Sequence, residues 1–123
     1  MSKQAQYEVQ LKEVNKEYLK EAVGRMCNEL DIPIVRKNTI KIGYENHPVK
    51  GTCIKLPQAN YAADIYADNG RVIINTDSEV VRQYHKYDSR IKQFYEATEL
   101  AKEFNTEFEY NKETEKIELQ VYA

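Results

Sequence analysis

The sequence predicts an α+β fold, a single antiparallel sheet in the order β-α-β-β-β-β-α-β-β with two amphipathic helices packed on one face. Three observations lead there. Two long segments, about 15–30 and 88–105, repeat apolar residues every three or four positions. Shorter segments between and around them alternate apolar with polar residues, or run apolar between turn residues. The run of short segments from Ile40 to Asn75 is joined by brief turns, which favours an antiparallel meander.

In chain order, residues 1–6 are polar and expected to fray. Tyr7, Val9 and Leu11 alternate with Glu8, Gln10 and Lys12, the period of a strand with one buried face. Asn15 then offers an N-cap, and Leu19, Ala22, Val23, Met26, Cys27 and Leu30 form one helical stripe. Gly24 inside that helix costs about 1 kcal/mol relative to alanine, tolerable if another backbone packs closely there. Pro33 ends the helical register.

Ile40 and Ile42 mark the next strand, extended by Tyr44, and residues 45–50 read as a loop. Strands follow over 51–56, closed by Pro57, and over 61–67. Asp68-Asn69-Gly70 is the strongest turn signal, leading into a strand over 71–75. Asp77 or Ser78 can cap a short helical piece through Val80 and Val81, and Asp88 or Ser89 a longer helix. Its stripe is Ile91, Phe94, Tyr95, Thr98, Ala101 and Phe104, with Ala97 and Leu100 beside it, and Asn105 reads as a left-handed C-cap. Strands over 106–110 and 116–122 close the chain around a polar loop.

Composition bounds the function. With 123 residues the chain fits one domain, 1–123, and 41% hydrophobic with 31% charged residues is the mix of a folded, well-solvated protein. A formal charge of −2 disfavours attachment to nucleic acid or anionic membrane by bulk charge alone. No apolar run approaches the roughly 18 residues a membrane span needs, so a soluble, cytoplasmic protein is expected, with no membrane partner. Cys27 and Cys53 are too few for a disulfide scaffold.

Several chemistries lack their residues. His47, His85, Cys27 and Cys53 show no metal-ligand spacing, so no metal and no cofactor is expected. Four glycines draw no phosphate-cradling loop, and no GxSxG elbow is present. Cys27 reads as a core thiol, and Cys53 as an inert or partly exposed thiol on the face opposite Ile54 and Leu56. From Glu96 to Glu118 eight glutamates face three lysines, a solvated surface or an acidic docking face for a basic partner.

The segment 82–90 interleaves cations with aromatics. Arg82, Tyr84, His85, Lys86, Tyr87 and Arg90 are therefore the candidate binding residues, with Lys92 and Tyr95 able to extend them. The same tyrosines can simply fasten a connecting segment to the core, or meet a protein partner. Ten tyrosines in a chain without tryptophan tilt the reading toward a contact surface.

Leu19, Ala22 and Met26–Leu30, the strand Gly51-Thr52-Cys53-Ile54-Lys55-Leu56-Pro57, the strand–turn–strand of 61–75 and the helix and hairpin from Tyr95 to Val121 resemble an uncharacterised family. It is the domain-of-unknown-function group that includes small hypothetical chloroplast reading-frame proteins of plastids and cyanobacteria, with bacterial and phage relatives. The family's Gly-Gly and tryptophan stretch is replaced here by Thr76-Asp77-Ser78-Glu79-Val80-Val81. The resemblance implies a small accessory protein, often encoded beside ring-forming ATPases, and supplies no catalytic residues.

The functional expectation is a non-enzymatic accessory or adaptor protein that binds another protein, in one variant a phage-encoded inhibitor of a host protein. The alternative is a nucleic-acid or nucleotide-binding module using 82–90. An enzyme would need a pocket uniting distant residues, for example His85 with a carboxylate.

Overall fold

The computed structural model describes residues 4–42, 44–55, 62–78, 84 and 86–120, without the side chains of Ala5 and Tyr7. Among them are two helices and eight strands, all strand pairs antiparallel, an α+β fold.

The strand β1 (Gln4–Val9) leads to α1 (Lys16–Leu30). Asn15 caps α1 as its sequence implies, its Oδ1 accepting the amides of Glu17 at 2.9 Å and Tyr18 at 3.1 Å. The helix stops where Asp31 turns left-handed at φ 55°, two residues before Pro33. Leu19, Ala22, Val23, Met26 and Cys27 form its buried stripe. The second helix, α2 (Asp88–Glu103), buries Ile91, Phe94, Tyr95, Ala97, Thr98 and Ala101. Its N-cap is Tyr87 and makes no side-chain capping bond, in place of Asp88 or Ser89; Asp88 instead lies in the first turn, where its charge suits the positive helix end. Asn105 is left-handed at φ 50° as expected, but Phe104 falls outside the helix and is 65% exposed.

The strands divide differently from the expected single sheet. Four of them, β1, β4 (Thr52–Lys55), β5 (Ala62–Asp68) and β6 (Arg71–Asp77), form a sheet in the order β1-β6-β5-β4. Asn69 and Gly70, at φ 50° and 76°, make the two-residue turn between β5 and β6 that Asn-Gly predicts. The hairpins β2–β3 (Thr39–Ile42 and Glu45–Pro48) and β7–β8 (Phe108–Asn111 and Lys116–Leu119) stand apart.

The reason lies at the β4 edge. The chain leaving α1 runs along it, with Val35 N–H donating to Cys53 O at 2.8 Å and Lys55 N–H to Pro33 O at 3.0 Å. That edge is therefore occupied, and β2–β3 cannot extend the sheet there. It lies instead against the back of the sheet, where Ile40 and Ile42 pack with Cys53. Residues 45–48, expected as loop, are the second strand of this hairpin, paired from Ile42↔Glu45 to Thr39↔Pro48. The hairpin β7–β8 packs through Phe108, Tyr110, Ile117 and Leu119 on the core that the helices share with the sheet. Arg25 of α1 sits 4.5 Å from the Phe108 ring centre and donates to the Phe108 carbonyl at 3.0 Å.

The main core joins both helices to one sheet face through Val9, Ile54, Ala63, Ile65, Val72 and Ile74. Pro57, Tyr61 and the expected helical piece through Val80 and Val81 lie outside the described residues.

Two glycines behave oppositely. Around an added Cβ at Gly24 nothing lies within 4 Å, so the condition of a close backbone approach is not met there. At Gly51 a Cβ would run into the Ile65 carbonyl oxygen and lie 2.7 Å from Tyr66 Cβ. Gly24→Ala should therefore raise the unfolding free energy by up to about 1 kcal/mol through helix propensity, whereas Gly51→Ala should lower it by about 1–3 kcal/mol. Urea unfolding followed by circular dichroism reads both, and equal signs would contradict this account.

Candidate functional site

The basic-aromatic segment is only partly a surface. Tyr84 is 0% exposed and belongs to the main core. Tyr87 is half-buried against that core, donates its N–H to the Tyr84 carbonyl at 2.9 Å and accepts the Ile91 N–H at 2.8 Å. Arg90 is held to the β7–β8 turn, 2.6 Å from the Glu115 carboxylate, with Gln93 Nε2 donating to the Glu115 carbonyl at 3.1 Å. Lys86 is exposed, and Arg82 and His85 lie outside the described residues. Tyr84, Tyr87 and Arg90 thus fasten the start of α2 to the core and to the last hairpin. The structure does not assemble them into one exposed binding platform: Tyr84 is buried and Arg90 is engaged.

The reactive groups are also inward. Cys27 lies on the buried stripe of α1, and burial pushes its thiol up to about 11. Cys53, expected as an inert or partly exposed thiol, is 2% exposed because the β2–β3 hairpin lays Ile40 and Ile42 over it. Burial first, then the Asp64 charge, pushes its thiol up to about 11, with Lys37 opposing. Among the described residues no three His, Cys, Asp or Glu side chains gather where a metal ion could be held.

Asp64 is the polar group that alternation alone did not single out. It sits on β5 facing away from the helices, 0% exposed, opposite Cys53 on one side and Asn75 on the other. Its carboxylate accepts the amides of Lys50 at 2.7 Å and Gly51 at 3.0 Å. Burial raises its pKa, while those two amides and the Lys50 charge pull the other way. Beside it Gln4 Nε2 donates to Asn75 Oδ1 at 2.8 Å and Gln6 Nε2 to the Tyr66 hydroxyl at 3.3 Å. This row binds backbone and neighbours. A pair of adjacent polar residues with opposite parity to the apolar ones, Asp64 and Asn75, was the available signal.

The outer surface offers more. A groove of about 600 Å3 runs between the β1–α1 connection and α2, lined by Leu11, Tyr95 and Leu100 with Lys92, Glu96 and Glu99 at its rim. The Tyr95 hydroxyl closes its floor, accepting the Asn15 N–H at 2.8 Å. Leu100 is 40% exposed, and Phe104 continues the apolar line one turn on.

No family model matches the chain, and no curated protein or solved structure matches it significantly.

Two outcomes follow from the buried groups. Neither thiol should react with a disulfide reagent in the native state near neutral pH, since each is buried and protonated. Both should react at once in urea, and native labelling of either would contradict the burial. For Asp64 the folded state holds its proton more tightly than the unfolded chain, whose reference value is 3.8. The stability this group contributes is complete below that value and is lost as pH rises through the higher folded value. Measured against Asp64→Asn, which cannot ionise, the wild type should lose relative stability over that rise; a pH-independent difference would refute it.

Proposed function

We propose that the protein is a non-enzymatic accessory protein that binds another protein through the outward face of α2 and its groove. The observation that carries this is the pairing of exposed Leu100 and Phe104, spaced one helical turn apart and flanked by Glu96, Glu99 and Glu103. Large apolar side chains exposed together and rimmed by charge favour docking. Lys92 stands 4.0 Å from Glu96, yet glutamates outnumber lysines from 96 to 118 by eight to three. The fitting partner is an amphipathic segment carrying apolar anchors with Lys or Arg at its flanks.

A binding role is further supported by the disposition of the reactive groups. Both thiols are buried and protonated, and Asp64 accepts two backbone amides. The described aromatics of 82–90 are packed inward, which favours the α2 face over that segment.

Purified protein should capture a partner from its host and coelute with it at micromolar concentration in size-exclusion chromatography. Leu100→Ser with Phe104→Ser should abolish that complex, while changing stability by no more than about 0.5 kcal/mol per exposed site. Monomer alone, or a complex that the double variant retains, would overturn the proposal.

A further inference from the structure

The cations of the described chain are not evenly matched. Arg25, Arg71 and Arg90 each lie within 4.0 Å of a glutamate, and Lys92 and Lys102 do the same. The other described cations are exposed and make no ion pair with a described carboxylate; Lys12, Lys41, Lys55, Lys86, Lys112 and Lys116 lie apart from one another along the chain, whereas Lys16, Lys20, Arg36, Lys37 and Lys50 line neighbouring concavities. These five lie together around two adjoining clefts between α1 and the β4 side of the fold.

The first cleft, about 310 Å3, is lined by Lys16, Lys20 and Lys50 with one carboxylate, Glu17. The second, about 490 Å3, has Lys20, Arg36 and Lys37 on its walls and no acidic side chain among the described residues. They share Lys20, Gly51 and Thr52, so Lys20 stands between them. The groove beside α2 and a cleft of about 490 Å3 at the β7–β8 end each carry more carboxylates than cations. A net charge of −2 therefore conceals a basic concavity on one side.

Two further features mark that concavity. Lys16 and Lys20 are one turn apart on α1, where like charges repel each other. Gly24 follows one turn later in the wall of the second cleft, with open space where its side chain would be. A glycine at a helix interior, neither strained nor closely packed, leaves room in that wall. Thr52 and Arg36 line the same cleft as Gly24 and Lys20, and a guanidinium is a fork suited to phosphate oxygens. Among the described residues no exposed aromatic lines either cleft: Tyr66, the described aromatic there, is buried, with the Lys50 ammonium 5.2 Å from its ring centre. That argues against base stacking along a single strand and for a compact polyanion.

We propose that these clefts form one binding site for a chain of two or three phosphates, presented by a nucleotide or by an inorganic polyphosphate. Lys20 and Arg36 grip the phosphates from opposite walls, Lys16, Lys37 and Lys50 supply the surrounding positive field, and Gly24 keeps the wall open. The cleft volumes fall within the roughly 300–1,000 Å3 typical of small-ligand sites.

The test is a titration of the full-length protein with sodium tripolyphosphate, ATP and AMP, read by amide chemical shifts in two-dimensional NMR. Tripolyphosphate should shift the amides of Lys20, Gly24, Arg36, Lys37 and Gly51 saturably. Affinity should fall as salt rises from about 0.01 M to about 0.15 M, where the Debye length shortens from about 30 to about 8 Å. AMP should bind at least about tenfold more weakly than tripolyphosphate, a loss of roughly 1.4 kcal/mol. ATP binding tighter than tripolyphosphate assigns the source as a nucleotide, and equal binding assigns an inorganic chain. Lys20→Glu with Arg36→Glu should weaken tripolyphosphate by at least about tenfold with the thermal midpoint preserved. Gly24→Leu, which favours the helix while filling the wall, should weaken it as well. No saturable shift at low salt, shifts centred elsewhere, undiminished binding by both variants, or preference for an oligonucleotide over tripolyphosphate would each overturn the proposal.

Discussion

The path of the chain around the back of the sheet depends on one buried carboxylate. Asp64 projects from β5 away from the helices and takes the two consecutive amides of Lys50 and Gly51 at hydrogen-bonding distance. A carboxylate removed from water is costly unless its oxygens are satisfied, and backbone amides held rigidly do this well. The contact fixes where the chain re-enters the sheet after β3. Gly51 completes it, because only a residue without a side chain can approach the Ile65–Tyr66 backbone so closely. Once that connection is pinned, β2–β3 has to lie over Cys53, and the second small core follows.

The same anchoring organises the charge. Between α1 and β4 the chain runs antiparallel to the β4 edge, bonded at Pro33 and Val35, and then presents Arg36 and Lys37. Lys50 arrives beside them from the Asp64 contact, and Lys16 and Lys20 face them from α1. Glu96 and Glu99 of α2 line one of the other clefts, and Glu109 of β7 with the preceding Glu107 another. Exposed charges contribute little to stability individually, so this segregation is permitted by the fold without being required by it. Its value lies in recognition, where a field of one sign over a concave surface concentrates ligands of the other.

Much of the local structure was legible because short-range chemistry dictates it. Asn15 has the one side chain at that point able to cap a helix start, and Asn69-Gly70 supplies two residues that accept positive φ. The helical stripes show because burial on one side imposes a period of 3.6. What stayed hidden depends on contacts distant in sequence. Glu45-Asn46-His47-Pro48 is polar and contains proline, so it resembles a loop; it forms a strand because Ile40 and Ile42 opposite it need the back of the sheet. Cys53 appeared peripheral since strand alternation names a face without saying what covers it. Tyr84, placed among cations, looked like a contact residue, although its ring completes the core beneath α2. The basic cleft was invisible because Lys20, Arg36 and Lys50 are scattered along the chain and meet only through the β4 edge.

Helix α1 links these levels, since one rotation about its axis sets three faces at once. Leu19, Ala22, Val23, Met26 and Cys27 must point into the sheet, and burial of the larger ones, at about 1.5–3 kcal/mol each, fixes that rotation firmly. Residues 16, 20 and 24, spaced by four, then share a stripe at an angle to the core and face the basic clefts. Residues 21 and 25 turn to the other flank, where Glu21 meets Lys102 of α2 at 3.2 Å and Arg25 stacks on Phe108. A turn of the helix large enough to hide Lys20 would withdraw Leu19 and Val23 from the core. The position of the cations is thus enforced by the apolar residues beside them, and a surface feature inherits the rigidity of the interior.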